Sequence, residues 1–540
     1  MTKRILSLIL ALALCLGAAN ALALDLSNSP TGDPYEPMAE TVVLTIGKSA
    51  DANAAYEPGE SVDDNWKLRW FEEMLNIDYV NSWATLSNEA YQQKVALTLA
   101  MGISQMPDVM TVNEMELRQM VKADMLADLT DAAEKYAGEE MISYWQSANG
   151  LGLESCIFDG KLMAIPNINP GADGIPLLYV RGDWMDKYGL QEPKTLDDIV
   201  NIVKVFQEKE GSMGLLSTSS IVGVGNNPYG LDALFALYGA YPEMWVTDDE
   251  GNITYGSIQP ETKTALAEIR KLVEDGVIEE NFVVYDNDQC NELATSGKAG
   301  IFFGPWWYLN WPLADMTKSD PNVYWNVYAC PLDENGKYNA HMMAPTSNYA
   351  VVRKGYEHTD AVVKTLNLSM MADSRRMPAP MPHPQAWESW GMAPVSLLQC
   401  HYNEKEDKAR RVVQALEGEL DPSELIAEEI RWYERSKYVL EHGAQKALLD
   451  NCADGYYYTM GAYPIAKADD EGILNRVYAS TYSKSKSMDK KWATLEKLED
   501  ETFLQILAGD KSIDEFDKFV KQWLSLGGAD ITEELNEMSK

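Results

Sequence analysis

The sequence predicts an α/β protein of at least two domains with a mainly helical C-terminal third. Two observations carry this prediction: a length of 540 residues, which exceeds what one hydrophobic core usually serves, and strand and helix patterns that alternate along the chain. Hydrophobic residues make up 46% of the sequence, which is enough for a packed interior. We therefore expect a folded, multidomain protein rather than a disordered one.

The N-terminal part predicts the order strand, helix, strand, helix, strand. The strands are predicted at 42–46, 77–80 and 109–112. Between the first two, 66–76 carries apolar residues at helical spacing, and the second helix repeats an apolar residue every four positions until Gly102. This order is typical of a parallel sheet with helices on both faces.

A second α/β region is predicted beyond residue 160. Thr195 caps a helix there, with Asp198 at the reciprocal capping position, and Gly276 ends a later helix. In chain order, the predicted segments are an extended segment at 160–166, a loop at 167–174, a strand at 176–181, the helix that Thr195 caps, a helix at 261–275 and a strand at 300–304.

The C-terminal third is predicted to be mainly helical. The sequence Asp-Pro-Ser-Glu at 421–424 opens one long helix, because proline is favoured in a first turn. The segment at 512–515 opens another, and the glycines at 527 and 528 are expected to stop it.

The N-terminus predicts the compartment. A positively charged start and an apolar run at 5–17 precede small residues that end at Ala23, which is the pattern of a secretory signal peptide over 1–23. Leu14 stands before Cys15, where the lipid-anchoring motif has a small residue, so a lipid anchor at Cys15 is disfavoured. We therefore predict a secreted protein that is associated with the cell surface.

The chain is strongly acidic, with 45 Lys and Arg against 83 Asp and Glu and a formal net charge of −38. Nucleic-acid backbones and anionic lipids are bound by clustered cations, so we expect neither a nucleic-acid partner nor a membrane-surface partner. After the N-terminal run, no segment approaches the roughly 20 uninterrupted apolar residues that cross a bilayer.

No catalytic or metal-binding motif stands out. The five histidines are scattered, and the patterns of zinc proteases, α/β-hydrolases and P-loop proteins are absent from the sequence. Asp248, Glu250 and Asn252 are the candidate calcium ligands, but the neighbouring glycine comes too early for an EF-hand. A hairpin turn is the favoured interpretation there, and we predict no cofactor.

The strongest functional signal is the aromatic segment that follows the predicted strand at 300–304. It places Trp306, Trp307, Tyr308 and Trp311 in one loop. Sugars present flat C–H faces and rings of hydroxyls, and their sites combine aromatic platforms with planar polar side chains. The segment therefore favours a carbohydrate site, with a core cluster beneath a long loop as the alternative.

Further candidates come from topology, because α/β sheets bind ligands at the carboxyl ends of their strands. The polar and aromatic residues at these places are Ser49 and Asp51 after the first strand, Trp83 after the second, Asn113 and Glu114 after the third, and Asn169 and Asp173 in the loop at 167–174. For each of them, an ordinary solvated loop residue is the alternative.

Six stretches carry a family resemblance, at 160–166, 177–185, 187–190, 255–261, 297–307 and 516–536. In this order the chain resembles extracellular solute-binding proteins of ABC sugar importers, particularly the long, oligosaccharide-binding, lipoprotein-like members. The resemblance implies a two-lobe, periplasmic-binding-protein-like fold, in which each lobe is a mostly parallel sheet flanked by helices. After a flexible leader at 24–40, it implies lobe 1 at 41–165 and 330–394, and lobe 2 at 166–329 and 395–540.

The resemblance also implies a function. Such a protein grips an oligosaccharide between its lobes and, as a monomer, delivers it to the permease subunits of an ABC transporter; it is not an enzyme. In maltodextrin-binding relatives the Gly-Pro-Trp loop supplies a stacking ring, here Trp306 with Trp307 beside it, and polar contacts fall on Ser49, Asp51, Asn113 and Glu114. A binding protein for peptides or other solutes and a secreted glycoside-active enzyme are the alternatives.

Overall fold

The structure, a computed structural model, describes residues 24–50, 56–223, 225, 227–248, 250–374, 392–397 and 399–539. The chain divides into two compact units, unit 1 (Met1–Asn169 and Pro345–Tyr402) and unit 2 (Pro170–Ala344 and Asn403–Lys540). The predicted signal peptide at 1–23, with Cys15, and the candidate ligand residue Asp51 lie outside the described residues.

The strands in chain order are β1 (Val42–Ser49), β2 (Ile77–Thr85), β3 (Val109–Val112), β4 (Ile157–Phe158), β5 (Lys161–Leu162), β6 (Ile165–Pro166), β7 (Leu177–Arg181), β8 (Trp245–Thr247), β9 (Ile253–Tyr255), β10 (Ile301–Gly304), β11 (Trp325–Tyr328), β12 (Tyr338–His341), β13 (Tyr349–Val352) and β14 (Leu474–Val477).

The α-helices in chain order are α1 (Trp66–Leu75), α2 (Asn88–Met101), α3 (Glu114–Lys122), α4 (Thr130–Tyr136), α5 (Glu139–Gln146), α6 (Leu151–Glu154), α7 (Gly182–Tyr188), α8 (Leu196–Glu210), α9 (Asp232–Leu237), α10 (Pro260–Glu274), α11 (Asn287–Thr295), α12 (Ala314–Ser319), α13 (Thr359–Ser374), α14 (Glu404–Glu417), α15 (Ala427–His442), α16 (Ala444–Leu449), α17 (Asp454–Asp470), α18 (Met488–Leu507), α19 (Glu515–Trp523) and α20 (Ala529–Met538).

Unit 1 is built on a sheet with the strand order β2-β1-β3-β13-β6. β1 pairs in parallel with both β2 and β3, which confirms the predicted parallel arrangement of the first three strands. β13 then pairs antiparallel with β3 and with β6. The connecting helices begin at side-chain caps, because Asn65 accepts a hydrogen bond from the N–H of Leu68 and Ser87 accepts one from the N–H of Ala90. Gly102 follows the last residue of α2, as predicted.

Unit 2 contains a sheet with the strand order β10-β7-β11. Every residue of β7 is buried, which fits its central position. Both of its neighbours pair antiparallel with it, so the prediction of a mostly parallel sheet is wrong for these three strands. β10 also makes one parallel contact, through the isolated bridge between Leu216 and Phe302. β12 and β14 form a separate parallel pair, and β8 and β9 form a hairpin.

In unit 2, the predicted helix start at Thr195 is confirmed, whereas helix boundaries in the C-terminal third differ from the prediction. Thr195 and Asp198 form the predicted reciprocal capping box of α8. Asp421, in contrast, caps a 3-10 turn at Pro422–Glu424, and the long helix α15 begins only at Ala427. The glycines at 527 and 528 lie in a π-turn, Leu524–Gly528, which bends the chain without ending its helical path. Among the residues described, no helix is both long and apolar enough to cross a membrane.

An aromatic cluster in unit 2 surrounds a buried carboxyl group. Tyr255 stacks on Trp523 with ring centroids 4.8 Å apart and meets Trp492 edge-on at 5.3 Å. Glu499 of α18 is 1% exposed in this region. Burial raises the pKa of the Glu499 carboxyl well above its ordinary value, and a nearby hydroxyl, that of Ser257, opposes the rise. The folded protein therefore retains a proton on Glu499 at pH values where the unfolded chain has lost it.

Replacing Glu499 by glutamine is expected to raise stability at about pH 8 and to leave it unchanged at about pH 4. The unfolded carboxyl ionises near 4.5, whereas the folded one stays protonated, so the wild-type protein loses stability as the pH rises above 4.5. Glutamine is neutral at both pH values. Thermal unfolding at the two pH values measures the effect, with the same substitution at exposed Glu496 of α18 as the control. An identical difference from wild type at both pH values would contradict the assignment.

Candidate functional site

The sheet of unit 1 brings several loop ends to one edge. β1, β2 and β3 run in the same direction, and β6 shares it because both β3 and β6 are antiparallel to β13. The register pairs Ser49 with Thr85, and it pairs Tyr349 with both Val112 and Pro166. The residues that follow these strands and those that precede β13 therefore lie along one border, here called the carboxyl edge. This is where α/β sheets bind ligands.

Asn167 organises the loops at the carboxyl edge. Its side chain is 2% exposed, and its Oδ1 accepts hydrogen bonds from Thr346 Oγ1 at 2.9 Å and from the N–H groups of Ser347 and Asn348 at 2.9 and 2.8 Å. Its Nδ2 donates to Oδ1 of the candidate Asn169 at 2.7 Å. The exposed side chains of Ser347 and Asn348 are thus positioned at this edge by one buried amide.

Ser49 is the last residue of β1, which continues three residues beyond its predicted end. The neighbouring Lys48 points inward, with 3% exposure, and its Nζ donates to the carbonyl oxygen of Ala393 at 2.5 Å. Burial lowers the pKa of Lys48 to about 7, and the positive charge of Lys67 adds to this effect. Lys48 therefore supports the local structure beneath Ser49 instead of presenting a charge to solvent.

Trp83 lies within β2 and not in a loop after it, because β2 extends to Thr85. Its ring packs on the tyrosine ring of Tyr91, with centroids 5.2 Å apart. It also covers Gly47 so closely that a Cβ atom there would lie 2.4 Å from the indole ring. Glycine at 47 thus leaves the space that the indole occupies, and Trp83 remains partly exposed.

Asn113 and Glu114 form the start of α3. Asn113 Oδ1 accepts from the N–H of Glu116, and Glu116 Oε2 accepts from the N–H of Asn113, so this amide oxygen is used by the helix cap. Glu114 Oε1 is paired with the guanidinium of Arg118 at 2.9 Å. Both side chains are partly exposed at the carboxyl edge.

In unit 2, the aromatic segment follows β10 as a 3-10 turn, Trp306–Leu309. Trp306 is 6% exposed, and its Nε1 donates to Oδ1 of the candidate Asp173 at 2.8 Å. Its ring packs against those of Trp432 and Tyr458, with centroids 6.3 and 5.4 Å away. The structure therefore joins two predicted residues, Trp306 and Asp173, in one contact, beneath aromatic side chains from the C-terminal helices.

Asp173 and Lys405 place two charged groups beside the Trp306 ring. Burial raises the pKa of Asp173, while the hydrogen bond from Trp306 and the ammonium of Lys405 oppose the rise. Lys405 Nζ lies 5.9 Å from the centroid of the Trp306 ring. It is also 3.2 Å from Oε1 of Glu404, with which it forms an ion pair.

Trp307 and Trp311 form a second aromatic contact in the same segment. Their rings stack with centroids 6.1 Å apart, and Trp311 is 53% exposed. Of the three candidate tryptophans in this segment, Trp311 therefore presents the largest exposed fraction to solvent, whereas Trp306 is part of a packed cluster.

The comparisons with known proteins connect this architecture to one family. The family model described as "Bacterial extracellular solute-binding protein" matches residues 61–368. This chain belongs to that family. The match covers more than half of the sequence and agrees with the resemblance inferred from its motifs.

Two distant relatives of this solute-binding protein match it over nearly its whole length. The polygalacturonan/rhamnogalacturonan-binding protein YtcQ of Bacillus subtilis is 24% identical over 94% of this chain and 99% of its own. An HMO-binding, ABC-transporter-associated solute-binding protein from Bifidobacterium longum infantis superimposes with a TM-score of 0.57 at 12% identity, over 93% of this chain and 98% of its own.

A third similar structure is that of the ABC-transporter substrate-binding protein FusA of Streptococcus pneumoniae in complex with kestose. Its TM-score is 0.53 at 15% identity, over 92% of this chain and 98% of that chain. These superpositions confirm the predicted α/β, periplasmic-binding-protein-like fold class.

The calcium candidates of this solute-binding protein form the turn of the β8–β9 hairpin, the interpretation favoured from sequence. Asp248 Oδ1 accepts hydrogen bonds from the N–H groups of Glu250 and Asn252, at 3.0 and 2.7 Å. Asn252 Nδ2 also donates to the same carboxylate. The Asp248 carboxylate therefore accepts the hydrogen bonds that hold the turn together. Across the described ranges, no group of three or more His, Cys, Asp or Glu side chains is arranged to hold a metal.

Four functional candidates were missed in the sequence: Ser347, Asn348, Trp432 and Tyr458. Ser347 and Asn348 precede a strand, so a search for residues that follow strands passes over them. Trp432 and Tyr458 lie in helices α15 and α17, where aromatic residues usually indicate core packing. The cluster Tyr-Tyr-Tyr at 456–458 was the available signal for an aromatic wall.

Proposed function

We propose that this solute-binding protein is secreted, captures an oligosaccharide and delivers it unchanged to an ABC importer. The observation that carries the proposal is its membership of an extracellular solute-binding family, together with a full-length relationship to a protein named for binding polygalacturonan and rhamnogalacturonan. In this proposal the signal peptide at 1–23 directs secretion, no lipid anchor is formed at Cys15, and the mature monomer meets the permease subunits of the transporter.

The chemistry at the two sets of loops supports a sugar ligand. Trp311, with Trp307 behind it, offers an indole face to the flat C–H side of a pyranose ring. At the carboxyl edge of unit 1, Ser49, Asn113, Asn169, Ser347 and Asn348 offer hydroxyl and amide groups, which can donate to and accept from vicinal sugar hydroxyls.

We assign the ligand contacts in the same terms. Trp306 supports the aromatic face through its packing, and Asp173 fixes the orientation of Trp306 by accepting its N–H. The remaining predicted contacts are Trp307, Trp311, Ser49, Asp51, Trp83, Asn113, Glu114 and Asn169. Because the family is one of solute-binding proteins, we propose binding without catalysis.

A thermal-shift screen of the purified protein against oligosaccharides tests the proposal. A ligand that binds only the folded state adds about 2.7 kcal/mol of stability at 100 times its Kd, so a cognate sugar is expected to raise the melting temperature by several degrees. Trp311→Ala should keep the melting temperature of the unliganded protein and lose most of this shift. A shift with peptides but with no sugar would contradict the proposal, and so would the release of shortened sugars during incubation.

A further inference from the structure

The cations next to the candidate ligand residues are already engaged with protein groups. Lysine and arginine side chains near these residues in the described parts of the chain include Lys48, Arg118, Lys405 and Lys408. The contacts of these cations determine whether the candidate residues of each unit suit a charged or an uncharged sugar. Polyanionic ligands need cations that can pair with their carboxylates or sulfates.

In unit 1, both neighbouring cations already contact protein groups. Arg118 directs Nε and Nη2 to the same Glu114 oxygen, each at 2.9 Å, and its guanidinium also lies 5.7 Å from the ring centroid of Phe158. Lys48 is buried, with its Nζ on the carbonyl oxygen of Ala393. An acidic sugar placed here would bring a second carboxylate to a guanidinium that Glu114 already neutralises.

In unit 2, the lysines beside the aromatic segment form a closed network of ion pairs. Glu404 is shared by Lys405 and Lys408, and Lys408 also contacts Glu428. Burial would raise the pKa of Glu404, but Lys405 and Lys408 outweigh it and lower the pKa to about 2, so the carboxylate is charged at neutral pH. Two lysines are thus balanced by two glutamates, and Asp173 adds a further acidic group beside Trp306.

The wider charge distribution acts in the same direction. The formal net charge of −38 repels a polyanion at long range, although salt screens this field beyond about 8 Å at physiological ionic strength. Within that distance, the local ion pairs determine which ligand charge is favoured. The groups that stay available at the carboxyl edge, such as those of Ser347 and Asn348, are uncharged.

We propose that the ligand is a neutral oligosaccharide and that the paired cations beside the candidate residues of each unit select against uronic-acid polymers. The inference rests on the proposed function and limits the class of oligosaccharide that the protein binds. It separates this protein from its 24% identical relative YtcQ, which is named for binding polygalacturonan and rhamnogalacturonan.

Isothermal titration calorimetry with chemically matched probes tests the inference. Each acidic probe, such as an oligogalacturonide, is compared with its carboxyl-reduced, neutral form of the same linkage and length, beside neutral malto-, xylo-, galacto- and fructo-oligosaccharides. We expect a neutral sugar to bind at least about tenfold more tightly than any acidic probe. Its affinity should change less than about twofold between low and high salt, because no ion pair forms with the ligand.

Each outcome separates the two proposals. An oligogalacturonide that binds as tightly as its reduced form, or more tightly, overturns the inference and leaves the proposed function intact. Binding of neither class overturns the proposed function, and the inference with it. Binding of neutral sugars with a strong salt dependence overturns the argument from paired cations.

The variant Glu114→Gln tests the cause of the selectivity. It removes the carboxylate that neutralises Arg118, so affinity for acidic probes is expected to rise by about tenfold relative to neutral ones. Glu139→Gln, an exposed carboxylate at the start of α5, is the matched control and should change neither affinity. An equal loss for both probe classes in Glu114→Gln would show that Glu114 acts through hydrogen bonds alone and would overturn charge as the selecting feature.

Discussion

Replacing Trp306 by alanine is expected to lower the free energy of unfolding by about 3–5 kcal/mol, as for other large aromatic residues removed from a core. The substitution deletes a ring that packs on Trp432 and Tyr458, and it leaves the partly buried carboxyl group of Asp173 without its indole donor. Urea denaturation followed by circular dichroism measures the loss.

Trp311→Ala is the matched control for Trp306→Ala, because it removes the same residue type from the same loop at an exposed position. Its stability should stay within about 1 kcal/mol of wild type. We expect the two variants to separate packing from ligand contact: Trp306→Ala weakens the fold, and Trp311→Ala weakens sugar binding. Equal losses of stability in Trp306→Ala and Trp311→Ala would contradict the assignment of Trp306, and not Trp311, to the packed aromatic cluster.

Gly461→Ala is expected to destabilise the protein by about 1–3 kcal/mol, the usual cost of an overpacked core. In a helix interior this change is ordinarily favourable by about 0.5–1 kcal/mol, since alanine is the better helix former. Here a Cβ atom would lie 1.8 Å from the carbonyl oxygen of Trp306, so helix α17 or the aromatic segment must shift. The midpoint of urea unfolding shows whether Gly461→Ala destabilises or stabilises the protein.

Met460→Ala provides the control for Gly461→Ala, because the exposed side chain of Met460 precedes it in α17. Its effect should stay within about 0.5 kcal/mol. If Gly461→Ala were stabilising, the close approach of α17 to the Trp306 carbonyl would be refuted.

The first three strands of unit 1 were predictable because their signals are local. Short strand segments alternate with helices that have their own caps, such as Ser87 before α2 and Gly102 after it. The antiparallel pairing of β7 was not predictable in this way. Its partners, β10 and β11, come far along the chain, and no local pattern specifies which strand of a sheet another one joins.

The candidate site was predictable to a similar extent. The rule that ligands gather at carboxyl ends of strands nominated residues that do lie along one edge of unit 1, including Ser49, Asn113 and Glu114. It could not reveal that Trp306 would be covered while Trp311 stays exposed, because the covering rings of Trp432 and Tyr458 belong to helices that follow much later in the sequence. Exposure is decided by tertiary packing, which residue type and spacing leave open.

The burial of Lys48 has a consequence for the chemical modification of this protein. Amine-directed acylating reagents require both access and an uncharged amine, and the lowered pKa of Lys48 supplies the second condition while its burial denies the first. Lys67, which is also fully enclosed, is shielded in the same way. Acylation of Lys48 thus requires unit 1 to open, so its labelling distinguishes intact from unfolded molecules in a mixed preparation.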